Sequence, residues 1–517
     1  MPAFQVAVKW GKEKYDVEAN TDEAPLVFKS QLFALTGVQP ERQKVMFKGK
    51  TLADDSWGAL GGVLKKGDLL MMMGSADAVP TAPTGKTKFL EDMTDAQAAA
   101  AMDIPAGLKN LGNTCYMNAT LQCLKTVPEL TEALKSASGH IAAASGGAPE
   151  ERATGISAAV RDLYSMMDRA SGRDSQEVIP LIMLQVMHMV FPQFSSKDDH
   201  GHLQQQDANE CWTELMRMFQ LKIAARPTAS NMQGDAAAAS SFHGSSIITQ
   251  YFGGRFDVTL KNKESAEEPA QSSKEDFLQL SCFLSQEVKY LQSGLKAKLV
   301  EEITKNSPHL GRDAKYEKSA LIARLPAYLS IQMVRFFYKE KDQVNAKILK
   351  DVKFPLVLDV YELCTPELQK KLLPMRELMK DEDERKMERL KAQKAGEESS
   401  DELVKTEHPF SFPDDVGSNN SGFYELQAVL THKGRSSNSG HYVGWVRRSG
   451  DQWCMCDDDV IRPVTSEDVL KLSGGGDWHC AYVLLYGPKK LVTEKAKASS
   501  NGTNGNALAA AEEKMQS

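Results

Sequence analysis

The segment Gly107-Leu-Lys-Asn-Leu-Gly-Asn-Thr-Cys115-Tyr-Met-Asn-Ala-Thr-Leu-Gln-Cys-Leu124 reads as a polar, glycine-containing loop running into a helix, with Cys115 at the junction. Met117, Leu121 and Leu124 follow at i, i+4 and i+7, which gives the helix one apolar face, and Asn113 or Thr114 is placed to cap its start. Cys115 then falls in the first turn, where the helix dipole and unpaired backbone N–H groups favour a thiolate, the reactive form of cysteine. Position alone does not make it a nucleophile, because most unpaired cysteines are small core residues.

A second stretch far along the chain, Gly440-His441-Tyr-Val-Gly-Trp-Val-Arg-Arg-Ser-Gly450-Asp-Gln-Trp-Cys-Met-Cys-Asp457-Asp-Asp, reads as strand, turn and strand. Symmetry about Ser449 sets Trp445 opposite Trp453 and His441 opposite Asp457, and opposed residues have Cβ atoms about 5 Å apart. An imidazole beside a carboxylate is the pairing that fixes a histidine tautomer and stabilises its imidazolium. With Cys115 it suggests a Cys/His/Asp thiol hydrolase.

Gly107 to Leu124 closely resembles the cysteine box of the ubiquitin-specific proteases. Gly440 to Asp459, with Gly474-Gly-Gly-Asp-Trp-His-Cys-Ala-Tyr-Val-Leu-Leu-Tyr486, resembles their histidine box, and Gln205-Gln-Asp-Ala-Asn-Glu-Cys-Trp212 resembles a motif between the two. The three lie in family order. The resemblance implies an α+β architecture in which a papain-like catalytic domain of thumb, palm and fingers spans residues 105–488.

At 517 residues the chain is longer than one core usually serves, and 42% apolar residues can fill more than one. A net charge of −7 argues against a nucleic-acid partner. The eight cysteines, 115, 123, 211, 282, 364, 454, 456 and 480, form no regular framework and suit a reducing compartment. The start alternates like a strand instead of presenting a signal core, and no apolar run approaches the roughly 20 residues that span a bilayer. A cytoplasmic protein without membrane insertion is expected, with the nucleus a further compartment.

The first 75 residues read as ββαββ. Phe4, Val6, Val8 and Trp10 alternate, Lys14 to Val17 returns, Pro25 opens a helix whose stripe is Phe28, Leu32 and Leu35, and Gly37 ends it. Gln43–Phe47 and Leu69–Met73 complete the strands. This order resembles the β-grasp fold of ubiquitin, with Phe47-Lys-Gly-Lys50 like its third-strand turn and Met46 where ubiquitin shows its central apolar contact. No cleavable Gly-Gly ends the segment, so residues 1–75 are expected to be a built-in ubiquitin-like docking module. Residues 76–104 lack periodicity and read as a flexible linker.

Farther on, Leu181, Leu184, Met187 and Met189 mark one helix and Cys211, Leu215, Met218 and Phe219 another, with Cys211 in the core. Ala225 to Ser241 reads as a loop, and Tyr251 to Leu260 and Phe277 to Leu284 as strands of the fingers. Relatives often bind zinc there through two C-x-x-C pairs, whereas this chain has Lys261-Asn-Lys263 and only Cys282 nearby, so no metal and no cofactor are expected. Cys454 and Cys456 share one strand face and should be packed. Leu325 to Tyr338 is one long strand candidate, Lys339 to Val352 is charged and loop-like, and Lys353 starts another strand. Residues 380–405 form a charged, solvated insertion, and 489–517 read as a disordered tail.

The resemblance assigns duties residue by residue: Cys115 as nucleophile, His441 as general base and acid, Asp457 as its orienting partner, Asn110 as oxyanion donor and Asp458 as a support. Gln206, Asp207 and Tyr442 are candidates for holding ubiquitin's tail. Cys456 stands where relatives carry an aromatic residue, which could loosen Asp457. The implied activity is hydrolysis of the isopeptide bond after ubiquitin's terminal glycine, with ubiquitin and ubiquitinated proteins as partners. In the subfamily with an N-terminal ubiquitin-like domain, that domain docks on the 26S proteasome regulatory particle and loops such as Thr431 to Gly440 restrain the free enzyme. A regulator acting on the proteasome by occupancy, without cleavage, is the alternative class.

Overall fold

The computed structural model describes residues 3–53, 56–74, 104–171, 177–226, 246–339, 344–394, 403–436, 439–476 and 478–496. The chain divides into two units, Met1–Met93 and Thr94–Ser517. The sequence-predicted linker falls almost wholly outside the described residues.

In the first unit β1 (Phe4–Trp10) pairs antiparallel with β2 (Glu13–Ala19) and parallel with β5 (Leu69–Met73), which in turn pairs with β3 (Lys44–Phe47) and β4 (Lys50–Thr51), giving the sheet order β2-β1-β5-β3-β4. The turn between β3 and β4 holds Lys48 at φ 47° and Gly49 at φ 79°, two left-handed residues in succession, as a two-residue hairpin of this hand requires. Helix α1 (Pro25–Thr36) buries Phe28 and Leu32 against Val6, Val8, Val17, Val45 and Leu70. Leu35, expected in that stripe, is 50% exposed. The inward row continues at i+4 to Thr36, whose hydroxyl is satisfied by Leu32 O at 2.6 Å. Gly37 ends the helix at φ 70° with its N–H on Phe33 O.

The second unit places a helical layer against a long mixed sheet. Helix α2 (Cys115–Leu124) has all ten residues buried, so the single apolar face expected of it is wrong: it is wedged between the sheet and the helices α3 (Pro149–Ala170) and α5 (Ala208–Lys222). Neither Asn113 nor Thr114 caps it by side chain. Thr114 Oγ1 instead accepts from Leu111 N at 2.9 Å, and Asn113 Nδ2 donates to Leu203 O at 2.7 Å, so both hold the preceding loop. In α4 (Leu181–Val190) Leu184 and Met187 are buried with Met183 and Val186, whereas Leu181 and Met189 face solvent. Cys211 on α5 is fully buried, as expected.

Tyr251 lies in a short helix, Ile247–Phe252, and the first strand of the fingers starts only at Gly254. Those fingers are four antiparallel strands, β6 (Gly254–Asn262), β7 (Gln271–Phe277), β9 (Val300–Ser307) and β10 (Arg312–Arg324), in the order β9-β10-β6-β7. At their tip the Glu268 carboxylate accepts from Asn262 Nδ2 at 2.6 Å, Ser307 Oγ at 2.7 Å and the Tyr316 hydroxyl at 2.7 Å. Cys282 lies on β8 (Leu280–Phe283), buried in the core of the palm.

The palm sheet runs β8-β11-β20-β16-β17-β18-β19, from β11 (Leu329–Val334), β16 (Phe423–Ser436), β17 (Ser439–Ser449), β18 (Gln452–Asp457), β19 (Val460–Thr465) and β20 (Cys480–Pro488). The stretch Leu325 to Tyr338 is not one strand. It breaks at Arg335, and β12 (Phe336–Lys339) then pairs with β13 (Val344–Lys347), which occupies part of the expected loop. Arg335 is fully buried with four carbonyl partners, Ala481 O, Ile348 O, Lys350 O and Ser473 O, so the cation is satisfied without a carboxylate. Lys353 makes only an isolated bridge to Tyr290, and the strand expected there begins at Val357.

Residues 380–394 of the charged insertion belong to a longer helix, α6 (Pro366–Lys394), and 395–402 lie outside the described residues. It is not uniformly solvated. Glu382 is fully buried, paired with Arg385 and Arg389, and Arg389 reaches Glu494 on β21 (Val492–Ala496). β21 pairs with β15 (Leu403–Glu407), so ordered chain continues past 488 to 496 and the expected tail is shorter by that strand.

Candidate active site

Cys115 opens α2 and is 1% exposed at the junction between the helical layer and the sheet. Two N–H donors converge on it. The Tyr442 backbone N–H lies 3.4 Å from Sγ and the Gln205 side-chain Nε2 lies 3.3 Å from it. His441, also hydrogen-bonded to the Cys115 side chain, meets Asp457 Oδ1 through Nε2 at 2.5 Å. The bond to Asp457, then that to Cys115, pushes His441 up to about 10, while the same contact with His441 holds Asp457 below the usual carboxylate range.

The register that produces this contact differs from the symmetric one. Trp445 pairs with Met455 and Arg447 with Trp453, two positions from the symmetric register: the turn pairs Ser449 with Gln452, three positions off, and a one-residue irregularity between Arg447 and Ser449 takes one back. Asp457 is therefore a diagonal neighbour of His441, still on the same face, because a two-residue displacement preserves the side of the sheet. Gly440, at φ 127°, is required before it: a Cβ there would sit 2.2 Å from Lys433 O and 2.7 Å from His432 Nε2.

Asp458 follows Asp457 at φ 53°, with its carboxylate 8% exposed between two amides. Asn110 Nδ2 donates to Oδ2 and Asn118 Nδ2 to Oδ1, each at 2.8 Å, and burial pushes this carboxyl above its ordinary value. Asn110 Oδ1 accepts from Gly112 N at 2.9 Å and Thr114 N at 3.2 Å. The Asn110 side chain is thus fixed at both ends beside the start of α2, with one N–H committed to Asp458. Cys456 is buried with Cys123 and Cys454 on the face toward the helices, and Asp457 keeps its contact with His441.

A model of the ubiquitin carboxyl-terminal hydrolase family matches residues 106–486, and a ubiquitin-family model matches residues 5–77. This chain belongs to the ubiquitin carboxyl-terminal hydrolase family. It is similar to ubiquitin carboxyl-terminal hydrolase 14 of Caenorhabditis elegans, 42% identical over 487 residues that cover 93% of this chain and 92% of the relative. It is also similar to ubiquitin carboxyl-terminal hydrolase 6 of Arabidopsis thaliana, 40% identical over 499 residues covering 93% and 98%. The protein is a cysteine-type deubiquitinase of α+β fold with an N-terminal ubiquitin-like domain.

Of the residues singled out for the tail of ubiquitin, Asp207 has both oxygens engaged within the hydrolase. Oδ1 caps α5 at Asn209 N and Glu210 N, and Oδ2 accepts from the Tyr482 hydroxyl at 2.6 Å. Gln206 bonds Gln204 O, and Tyr442 is fully buried between His432 and Tyr482 with no partner for its hydroxyl. The glutamine at the thiol is Gln205, which nothing in three consecutive glutamines distinguishes. His432 lies beneath the Gly440 turn with neither ring nitrogen bonded, and burial lowers it to about 3, so it is a neutral part of the cleft wall.

Among the described residues, the group of histidine, cysteine and acidic side chains close enough to share an ion is His441, Asp457 and Asp458, which belongs to the candidate site already described.

Proposed function

We propose that this hydrolase releases ubiquitin from conjugates held at the 26S proteasome, with Cys115 as nucleophile, and that it stays weakly active until its ubiquitin-like domain docks. The observation that carries the catalytic assignment is the line Cys115, His441, Asp457, closed by the 2.5 Å contact of His441 with Asp457. With its pKa raised, His441 holds a proton at neutral pH, so the imidazole is set to protonate the leaving amine once Cys115 has attacked the carbonyl carbon. The thioester is then hydrolysed with His441 acting as base. Asn110, braced by Asp458, is the donor for the developing oxyanion.

Docking is supported by an apolar row on the ubiquitin-like domain. Leu69, Met71 and Met73 alternate along β5 and are each about half exposed, and Met46 on β3 pairs with Met71. Restraint is supported by Gln205, whose carboxamide rests on the thiol in the substrate-free molecule. Eight free cysteines, all buried, accord with a cytoplasmic location, and among the described residues no helix is long and apolar enough to cross a membrane.

The test is covalent labelling by ubiquitin carrying a C-terminal electrophile, with the native chain and Cys115→Ala, alone and with 26S proteasomes. Weak labelling alone, strong labelling with proteasomes and none in the variant is the expected result. Full labelling of the free chain would refute the restraint, and absence of labelling in every condition would leave regulation by occupancy.

A further inference from the structure

Lys433 and His441 pair across β16 and β17, so their side chains leave the sheet on the same side. Lys433 Nζ stands 4.8 Å from the centre of the Trp478 ring. Trp478 is 64% exposed, more than any other large apolar side chain described. Its neighbour His479 is turned inward, with Nδ1 3.3 Å from Thr431 Oγ1 and its ring edge-on to both Trp445 and Trp478, which anchors the base of the indole. His479 also lies within electrostatic range of Asp457, Lys433 and His441. The exposed tryptophan, a lysine and the catalytic pair therefore share one rim.

A single exposed aromatic ring is ordinary on a protein surface. Two features set this one apart: an ammonium already lies over its face, and the lysine that carries it is paired across the strands with His441, the proposed proton donor. The leaving group of an isopeptide cleavage is the ε-amine of a lysine. That nitrogen must come within hydrogen-bond reach of His441, and the rest of the lysine extends from there across the surface next to His441.

We propose that the indole face of Trp478 receives the aliphatic stem and amine of the leaving lysine, which displaces Lys433 from it. The inference rests on the isopeptidase reading above. When the C–N bond breaks, its electron pair stays on nitrogen, which takes the His441 proton to become a free amine and a further proton from water to become an ammonium. An ammonium against an indole face is attracted by the ring's quadrupole, and the lysine stem packs on the ring. Lys433 leaves the ring as the substrate lysine arrives, so the exchange replaces one lysine by another of the same chemistry. Trp478 is thus a specificity-determining residue for lysine-linked conjugates.

The test compares two substrates: ubiquitin joined through the ε-amine of a lysine peptide, and ubiquitin ethyl ester, whose leaving group is too short to reach the ring. Trp478→Ala is expected to lower kcat/KM for the lysine conjugate by about fivefold to tenfold, with the ester unchanged within about twofold. Trp478→Phe should keep most of the activity on the conjugate, and Lys433→Met, by freeing the ring, should raise it. Equal losses on both substrates would mark Trp478 as structural support and overturn the proposal, as would no loss on either. A native enzyme inert toward both substrates even with 26S proteasomes present would refute the hydrolase reading itself.

Discussion

Asp458→Ala should slow catalysis through Asn110 alone. The substitution removes the acceptor for Asn110 Nδ2, one of the two bonds of 2.8 Å that Asp458 receives, while the bonds to Asn110 Oδ1 from Gly112 N and Thr114 N persist. A hydrogen bond to a charged group contributes about 1.5–3 kcal/mol. The lower end applies, because Gly112 N and Thr114 N still hold the other end of the Asn110 side chain. About 1.5 kcal/mol corresponds to roughly a tenfold loss in kcat/KM. Asn110→Ala, which deletes the oxyanion donor itself, should cost about 3 kcal/mol, roughly a hundredfold. The double variant is the decisive one. If Asp458 acts by aiming Asn110, it should be no slower than Asn110→Ala within about twofold. Hydrolysis of ubiquitin–aminocoumarin under kcat/KM conditions reads all three. A loss near a thousandfold in the double variant, the product of the two single effects, would refute the reasoning and point to an independent action of Asp458 on His441, whose Nε2 is 3.9 Å away.

Asp457→Asn removes the largest cause of the raised His441 pKa, so the imidazolium should lose its proton at lower pH and the alkaline limb of the kcat/KM profile should move downward; a limb that stays in place would contradict the pairing. Asp207→Ala deletes the cap of α5 and the partner of Tyr482, and should destabilise the protein by about 2–3 kcal/mol in urea unfolding. Weakened ubiquitin binding with stability unchanged would instead identify that carboxylate as a ligand group. Glu268 is held below the ordinary carboxylate value by Ser307, Asn262 and Tyr316, so its contribution is present above the unfolded pKa of about 4.3 and is lost as pH falls through the folded value. Amide exchange around Asn262 and Ser307 should therefore quicken in that acidic range, and Glu268→Gln should remove the dependence.

That Cys115, His441 and Asp457 come together was legible because each sits where local pattern is strong: a cysteine at a loop-to-helix junction, and a histidine and an aspartate in one hairpin. The assumed register was wrong by two residues, yet His441 and Asp457 still met, since only an odd displacement would have put them on opposite faces. What was missed depends on contacts between distant segments. Gln205 is one of three adjacent glutamines, and only the fold chooses which touches the thiol. Glu382 is hidden in a run whose average composition says solvent, because burial there follows from Arg385, Arg389 and the strand carrying Glu494. Arg335 interrupts an apolar stretch as a deeply buried cation, and its acceptors are carbonyls, which no side-chain pattern reveals.

Strand β20 lies in the middle of the palm sheet, between β11 and β16, although it is almost the last to be made. Cys115 and the Tyr442 N–H that meets its sulfur are 327 positions apart. Synthesis proceeds from the N-terminus, and domains fold as units as they emerge. The ubiquitin-like domain is complete when its sheet closes at Met73, long before the ribosome reaches the strands that hold His441. A nascent chain can therefore complete its ubiquitin-like domain while the thiol still lacks His441, and hydrolytic competence arrives only once β20 is made and the central gap in the palm is filled.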